Sequence, residues 1–166
     1  MIVLGIDPGI ANTGFGIVSS GGSRLQALEF GVIETPSSAP PEARLAEIHA
    51  DVGELIRRYD AEAVAVEDLY FGANVVSAMA VGQARGVVSL AAGQHGVPVR
   101  AYTPQQVKAA VCGSGRADKS QVARMVARLL GLSAPPRPDH AADALAVALC
   151  ELNRAPLAGA IAGAVA

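Results

Sequence analysis

Four residues hold the chemistry this sequence is able to perform: Asp7, Glu67, His140 and Asp143. Asp7 ends an apolar run, Ile2-Val3-Leu4-Gly5-Ile6-Asp7, and Pro8-Gly9 follows it. Glu67 ends another, Ala63-Val64-Ala65-Val66-Glu67. His140 and Asp143 stand at i and i+3, on one face of a helix. A carboxylate at the end of an apolar strand is expensive to bury unless it is paired or holds a metal. Asp7 therefore reads either as a metal ligand or as a group gripping the Pro-Gly turn. Three carboxylates at close range cannot all ionise without a cation between them. Oxygen-rich ligands at an open sheet edge suit divalent metals that assist phosphodiester hydrolysis, in which two ions about 3.5–4 Å apart clamp the attacking and leaving oxygens. Singly, each group also has an ordinary role, as turn former, solvated strand end or helix-surface pair. The joint reading depends on a topology that gathers all four.

That topology requires the strands ending at Asp7 and Glu67 to be parallel neighbours. Strand patterns cover about 2–7, 13–19, 24–34, 63–67 and 97–102. Gly21-Gly22 reads as a hairpin turn between the second and third, and Pro36 to Pro41 as a linker. A helix over about 42–59 carries Leu45, Ile48, Val52, Leu55 and Ile56 on one stripe. A second, from an Asn74 cap to about Gln94, is apolar nearly all round, so either the core or another subunit must bury it. Helices are expected at about 104–111, 118–130 and 140–153, with Asp139 capping the last behind Pro138. Ala155–Ala166 reads as a frayed tail, which leaves residues 1–153 as one domain and 154–166 outside it. The order β-hairpin-β, helix, strand, helix, strand, helices predicts a mixed α/β sheet with helices on both faces.

The 166 residues are 51% hydrophobic, without Trp, and suit small-residue helices packed on a sheet. No basic segment leads into an apolar stretch as in a signal peptide, and no apolar run is long enough to span a membrane. Cys112 and Cys150 fit neither a disulfide framework nor a zinc pattern, so both are expected as buried thiols in a reducing cytoplasm. The net charge of −2 is unevenly spread. Between Arg100 and Pro138 seven basic residues face the single acid Asp118, giving +6, while six basic and fourteen acidic residues elsewhere give −8. Such a stretch suits an anionic partner on one face or belongs to solvated helix surfaces.

Six motifs in order carry a resemblance. They are Gly5-Ile6-Asp7-Pro8-Gly9 with Thr13-Gly14; Val66-Glu67; Gly82-Gln83-Ala84-Arg85-Gly86; Gln106-Val107-Lys108; Asp118-Lys119-Ser120-Gln121-Val122; and His140-Ala141-Ala142-Asp143-Ala144-Leu145. In order and spacing they resemble the RuvC Holliday-junction resolvases, over about residues 1 to 152. The resemblance implies an RNase H-like fold: a mixed five-stranded sheet, first three strands antiparallel, flanked by helices. It implies a homodimeric endonuclease that cuts two opposed strands of a four-way DNA junction with divalent metal, working with the junction-binding RuvA and the branch-migration motor RuvB. Asp7, Glu67, His140 and Asp143 fall on the four catalytic, metal-binding positions. His140 stands where some members carry Asp, and Asp139 is its neighbouring competitor.

The mechanism so implied is hydrolysis without a covalent intermediate, leaving a 5′ phosphate and a 3′ hydroxyl. Two Mg²⁺ or Mn²⁺ ions are expected, with Mn²⁺ favoured because imidazole suits transition metals better than hard cations. Lys108 and Lys119, the only lysines, match backbone-contacting positions. Arg85 and Arg124 are further DNA-contact candidates, and Tyr70, with Phe71 beside it, offers a ring to stack on an unpaired base. Two rival readings have their own tests. An actin-like or sugar-kinase ATPase shares the Gly-Ile-Asp-x-Gly start but needs two such domains. A catalytically silent junction-binding module would bind without cutting.

Overall fold

The computed structural model of the protein describes residues 1–21, 24–68 and 75–163, with 75–77 and 155–163 by their backbone alone. Among these residues the elements follow in the order β1 (Ile2–Asp7), β2 (Asn12–Gly21), β3 (Arg24–Glu34), α1 (Pro41–Tyr59), β4 (Ala63–Glu67), α2 (Val75–Gln94), β5 (Val99–Tyr102), α3 (Pro104–Cys112), α4 (Lys119–Leu130) and α5 (Asp139–Gly163). The sheet order is β3-β2-β1-β4-β5. β1, β2 and β3 form an antiparallel meander, whereas β4 joins β1, and β5 joins β4, in parallel. The RNase H-like expectation of a mixed sheet with three antiparallel strands first is met.

Strand alternation sorts side chains between two cores. Val3, Val18, Ala63 and Ala65 face one core, shared with α3, α4 and α5. Leu4, Ile6, Ile17, Val64 and Val66 face the other, shared with α1 and α2. By the same alternation Asp7 and Glu67 project on the α5 side, and Asp68 on the α2 side.

The α5 helix lies across β1 and β2 at very short range. A Cβ built on Gly5 would stand 2.0 Å from the Ala144 carbonyl oxygen, and one on Gly14 would stand 2.1 Å from that of His140. Only a residue without a side chain lets the helix backbone come so close, so these glycines set the height of α5 above the sheet.

Several expected boundaries change. Asp139 is the first residue of α5 rather than its cap: its carboxylate turns to Arg137 Nη1 at 2.9 Å and Lys119 Nζ at 3.5 Å. The α5 backbone runs on to Gly163, past the end expected at about 153, with Ala, the commonest residue there and the best helix former, at four of the ten positions after Asn153. Cys150 is buried but Cys112 only half-buried, and both are free thiols. β2 and β3 pair out to Gly21↔Arg24, with Gly22 and Ser23 outside the described residues. Asn74, expected to cap α2, also lies outside them. Among the described residues no helix is long and apolar enough to cross a membrane.

On α2 the apolar character divides. Ala84, Val88, Ala91 and Ala92 are buried against the sheet. Met79, Gln83, Gly86, Leu90 and Gly93, spaced alternately four and three apart, form an exposed stripe, with Met79 64% and Leu90 54% exposed.

Candidate active site

The parallel β1–β4 register, ending Ile6↔Val66, sets Asp7 and Glu67 side by side at the carboxyl ends of adjacent strands. The turn after Asp7 is secured by another group: the buried Thr13 hydroxyl donates to the Gly9 carbonyl at 2.6 Å. Asp7 is therefore free of turn duty, and its Oδ2 meets His140 Nδ1 at 2.7 Å. His140, in the first turn of α5, is brought to Asp7 by the close packing of that helix on Gly14.

Asp143, one turn further on, faces Lys119. Asp118 caps α4, accepting from the Gln121 N–H at 2.8 Å while the Gln121 side chain accepts from the Asp118 N–H at 2.9 Å. This capping box fixes the first turn of α4. Lys119 Nζ consequently reaches Asp143 Oδ2 at 3.0 Å. The hydrogen bond to Asp143 raises the Lys119 pKa above its ordinary value.

Electrostatics register the crowding of carboxylates. Burial, followed by the charges of Asp7 and Asp143, pushes Glu67 up to about 7. Asp7 is also raised, chiefly by burial and further by Asp143, with His140 opposing. Lys108 and Lys119 pull Glu67 the other way, which places both ammonium groups within electrostatic reach of the carboxylate. The donor set of three carboxylates and one imidazole suits a divalent cation, whose charge would relieve this repulsion. Among the described residues no three such side chains are already drawn together as a metal would hold them: Asp7 faces His140 and Asp143 faces Lys119.

Of the candidate DNA contacts, Lys108 lies on α3 and Lys119 and Arg124 on α4. Arg124 is exposed, its Nη1 donating to Ser120 Oγ at 3.0 Å. Arg85 is engaged differently, with its Nη1 on Asp68 Oδ1 at 2.7 Å. Tyr70 and Phe71 lie outside the described residues. Sequence reasoning did not anticipate the Asp68–Arg85 and Asp143–Lys119 pairs. A one-turn offset on a helix is legible, but a partner on another element is not.

The family model for crossover junction endodeoxyribonuclease RuvC matches residues 3–151. A RuvC of Moorella thermoacetica is 53% identical over 156 residues, covering 94% of this chain and 93% of the relative. That of Rubrobacter xylanophilus is 55% identical over 149 residues, covering 90% and 83%. Among solved structures, Thermus thermophilus RuvC in complex with Holliday junction substrate superposes with a TM-score of 0.91 at 45% identity, covering 95% of this chain and 96% of that one. The yeast mitochondrial resolvase Ydc2, at 16% identity and a TM-score of 0.63, shares the fold. With its antiparallel-then-parallel sheet, its strand-end acids and matches of this extent, the chain belongs to the RuvC family of crossover junction endodeoxyribonucleases.

Proposed function

We propose that this protein resolves Holliday junctions in DNA recombination and repair by a pair of symmetric nicks. The observation that carries the reading is the convergence of Asp7, Glu67, His140 and Asp143 from three elements onto one sheet end. Family membership, and a relative of the same fold solved with junction DNA, support it. Residues 1–153 carry the nuclease, and the segment from 154 onward is assigned no part in it.

Asp7, Glu67 and Asp143 would hold divalent metal through oxygen and His140 through nitrogen, two ions per protomer. Such ions supply positive charge against the phosphate and lower the pKa of water. The product ends are 5′ phosphate and 3′ hydroxyl, without a covalent enzyme intermediate. His140 takes the third position in preference to Asp139, because His140 meets Asp7 while Asp139 turns to Arg137. Asp7 holds the imidazole by Nδ1, which directs Nε2 away from that bond. Imidazole at this position favours Mn²⁺ over Mg²⁺.

Lys108, Lys119 and Arg124 are assigned to the phosphate backbone, and their neutralisation of phosphates makes binding salt-sensitive. Tyr70, three positions past Glu67, is assigned to stacking on an unpaired base at the junction centre. Arg85 is assigned elsewhere, since its guanidinium is bound to Asp68. A homodimer suits a nearly two-fold substrate. Its seam is the exposed α2 stripe: alternate spacings of four and three are those of a helix pair, with Met79 and Leu90 as knobs. Open space beside Gly86 and Gly93 would receive them. RuvA and RuvB are the proposed partners and the cytoplasm the proposed compartment.

The test is cleavage of a mobile synthetic four-way junction against a linear duplex of matching sequence, in Mg²⁺ and in Mn²⁺. Symmetric nicks in the junction alone, abolished by Asp7→Asn while binding survives, are expected. Junction binding by the wild type without cutting in either ion would instead favour a silent binding module.

A further inference from the structure

Glu67 and Asp68 are consecutive residues at the end of β4, and they leave the sheet on opposite faces. Glu67 projects toward α5 and the acidic cluster. Asp68 projects toward α2, where Arg85 Nη1 meets its Oδ1 at 2.7 Å. The Asp68 N–H also donates to the Tyr102 carbonyl at 2.7 Å, the bond that closes the last pair of the β4–β5 ladder, Glu67↔Tyr102. Glu67 is thus followed by a residue held through its backbone by β5 and through its side chain by α2. Arg85 is only 24% exposed at the side chain, so much of its length is sheathed by the protein. Its neighbours Ala84 and Val88 are fully buried in the α2-side core. A short guanidinium–carboxylate contact from a seated helix gives the strand end a fixed reference point.

We propose that Arg85 is a positioning residue, which by clasping Asp68 from the back of the sheet sets the orientation of Glu67 on the front. The proposal rests on the nuclease reading above and assigns Arg85 a role distinct from DNA contact. Rotation of the strand end is what the clasp resists. Without it the Glu67 carboxylate still lies at the site, but over a wider range of directions. Supporting partners of this kind commonly change metal affinity or activity about 10–100-fold when removed. The clasp also fastens the site to α2, whose opposite face bears the exposed stripe, so the Asp68–Arg85 ion pair ties that helix to the strand end that carries Glu67.

The experiment is a double-mutant cycle of Asp68→Asn, Arg85→Gln and both together, read as single-turnover cleavage, junction Kd and the Mn²⁺ concentration for half-maximal rate. Each single variant is expected to cut about ten-fold more slowly and to need more Mn²⁺, with junction Kd held within about two-fold. The double variant should be no slower than either single one, and the exchanged pair Asp68→Arg with Arg85→Asp should recover part of the rate. Arg85→Gln that weakens junction binding, beside Asp68→Asn that binds and cuts normally, would overturn the clasp in favour of a phosphate contact. Rates that fall only in proportion to a lost folded fraction in urea would overturn it as well. A wild type that fails to cut would remove the nuclease reading and the positioning role together, and is told apart by the wild-type and Asp7→Asn controls.

Discussion

Replacing Gly14 with alanine perturbs the site without touching any of its polar groups. The new Cβ would start 2.1 Å from the His140 carbonyl oxygen, against about 3.4 Å where ordinary contact begins, so the first turn of α5 must retreat by about 1.3 Å. That retreat carries His140 and Asp143 with it. A displacement of this size takes the 2.7 Å His140–Asp7 contact out of hydrogen-bonding range. Overpacking of this kind costs about 1–3 kcal/mol of stability, which for a chain of this length lowers Tm by about 2–4 °C per kcal/mol. A misplacement of about 1 Å costs about 100-fold in rate. The assay is single-turnover cleavage of a four-way junction under conditions where urea titration shows the variant folded. Junction Kd should change little, because Lys108 and Arg124 stay on α3 and α4 and Lys119 loses only its Asp143 partner. Gly21→Ala is the control, since nothing lies within 4 Å of its added Cβ. A Gly14→Ala protein that cuts as fast as the wild type would refute the claim that this glycine sets the height of α5.

Other outcomes follow from the same geometry. Glu67, raised from 4.5 to about 7, binds its proton more tightly folded than unfolded, so stability falls as pH rises through that window. The full rise corresponds to about 3 kcal/mol, and screening at this partly exposed site reduces it to about 1–2 kcal/mol. Glu67→Gln should therefore be more stable than wild type by that amount in urea at pH 8 with chelator, and gain nothing at pH 4.5. Tyr102→Phe removes the hydroxyl that donates to the buried Glu151 carboxylate and should cost about 1–3 kcal/mol, read by urea unfolding, with junction binding unaltered. Met79→Asp places a charge in the exposed α2 stripe and should yield monomers by sedimentation, with single nicks replacing paired ones. His140→Asp should narrow the rate difference between Mn²⁺ and Mg²⁺, measured at saturating amounts of each.

Strand limits at Asp7, Glu34 and Glu67 were legible because apolar runs there stop at an acid, with Pro8-Gly9 following the first and the Pro36 to Pro41 linker the second. The four candidate acid and imidazole positions were legible for the same reason, together with the i, i+3 offset on α5. Contacts that depend on which element lies over which were not. Nothing in the sequences of β1 and β2 announces that Gly5 and Gly14 admit a helix backbone at such short range. Arg85 reads as a basic residue on a helix, and only the opposite projection of Glu67 and Asp68 shows why it points where it does. Asp139 follows Pro138 as a cap would, yet Arg137 and Lys119 take its carboxylate instead. The α2 sequence looks apolar all round because Met, Leu and Gly on the open face are as uncharged as Ala and Val on the packed one.

Asp7 and His140 lie 133 positions apart, and the helix bearing His140 comes after every other described element. During synthesis β1 and β4 leave the ribosome with two acids on strands whose α5-facing surface is still bare. No arrangement of those residues alone supplies the imidazole or the last carboxylate. The helix that completes the set is the same one that covers that surface, so hydrophobic closure and assembly of the proposed metal site coincide. On the proposed assignment of these residues, a molecule in which α5 has not docked lacks two of its four metal-binding groups, so cutting is expected only after that helix has packed.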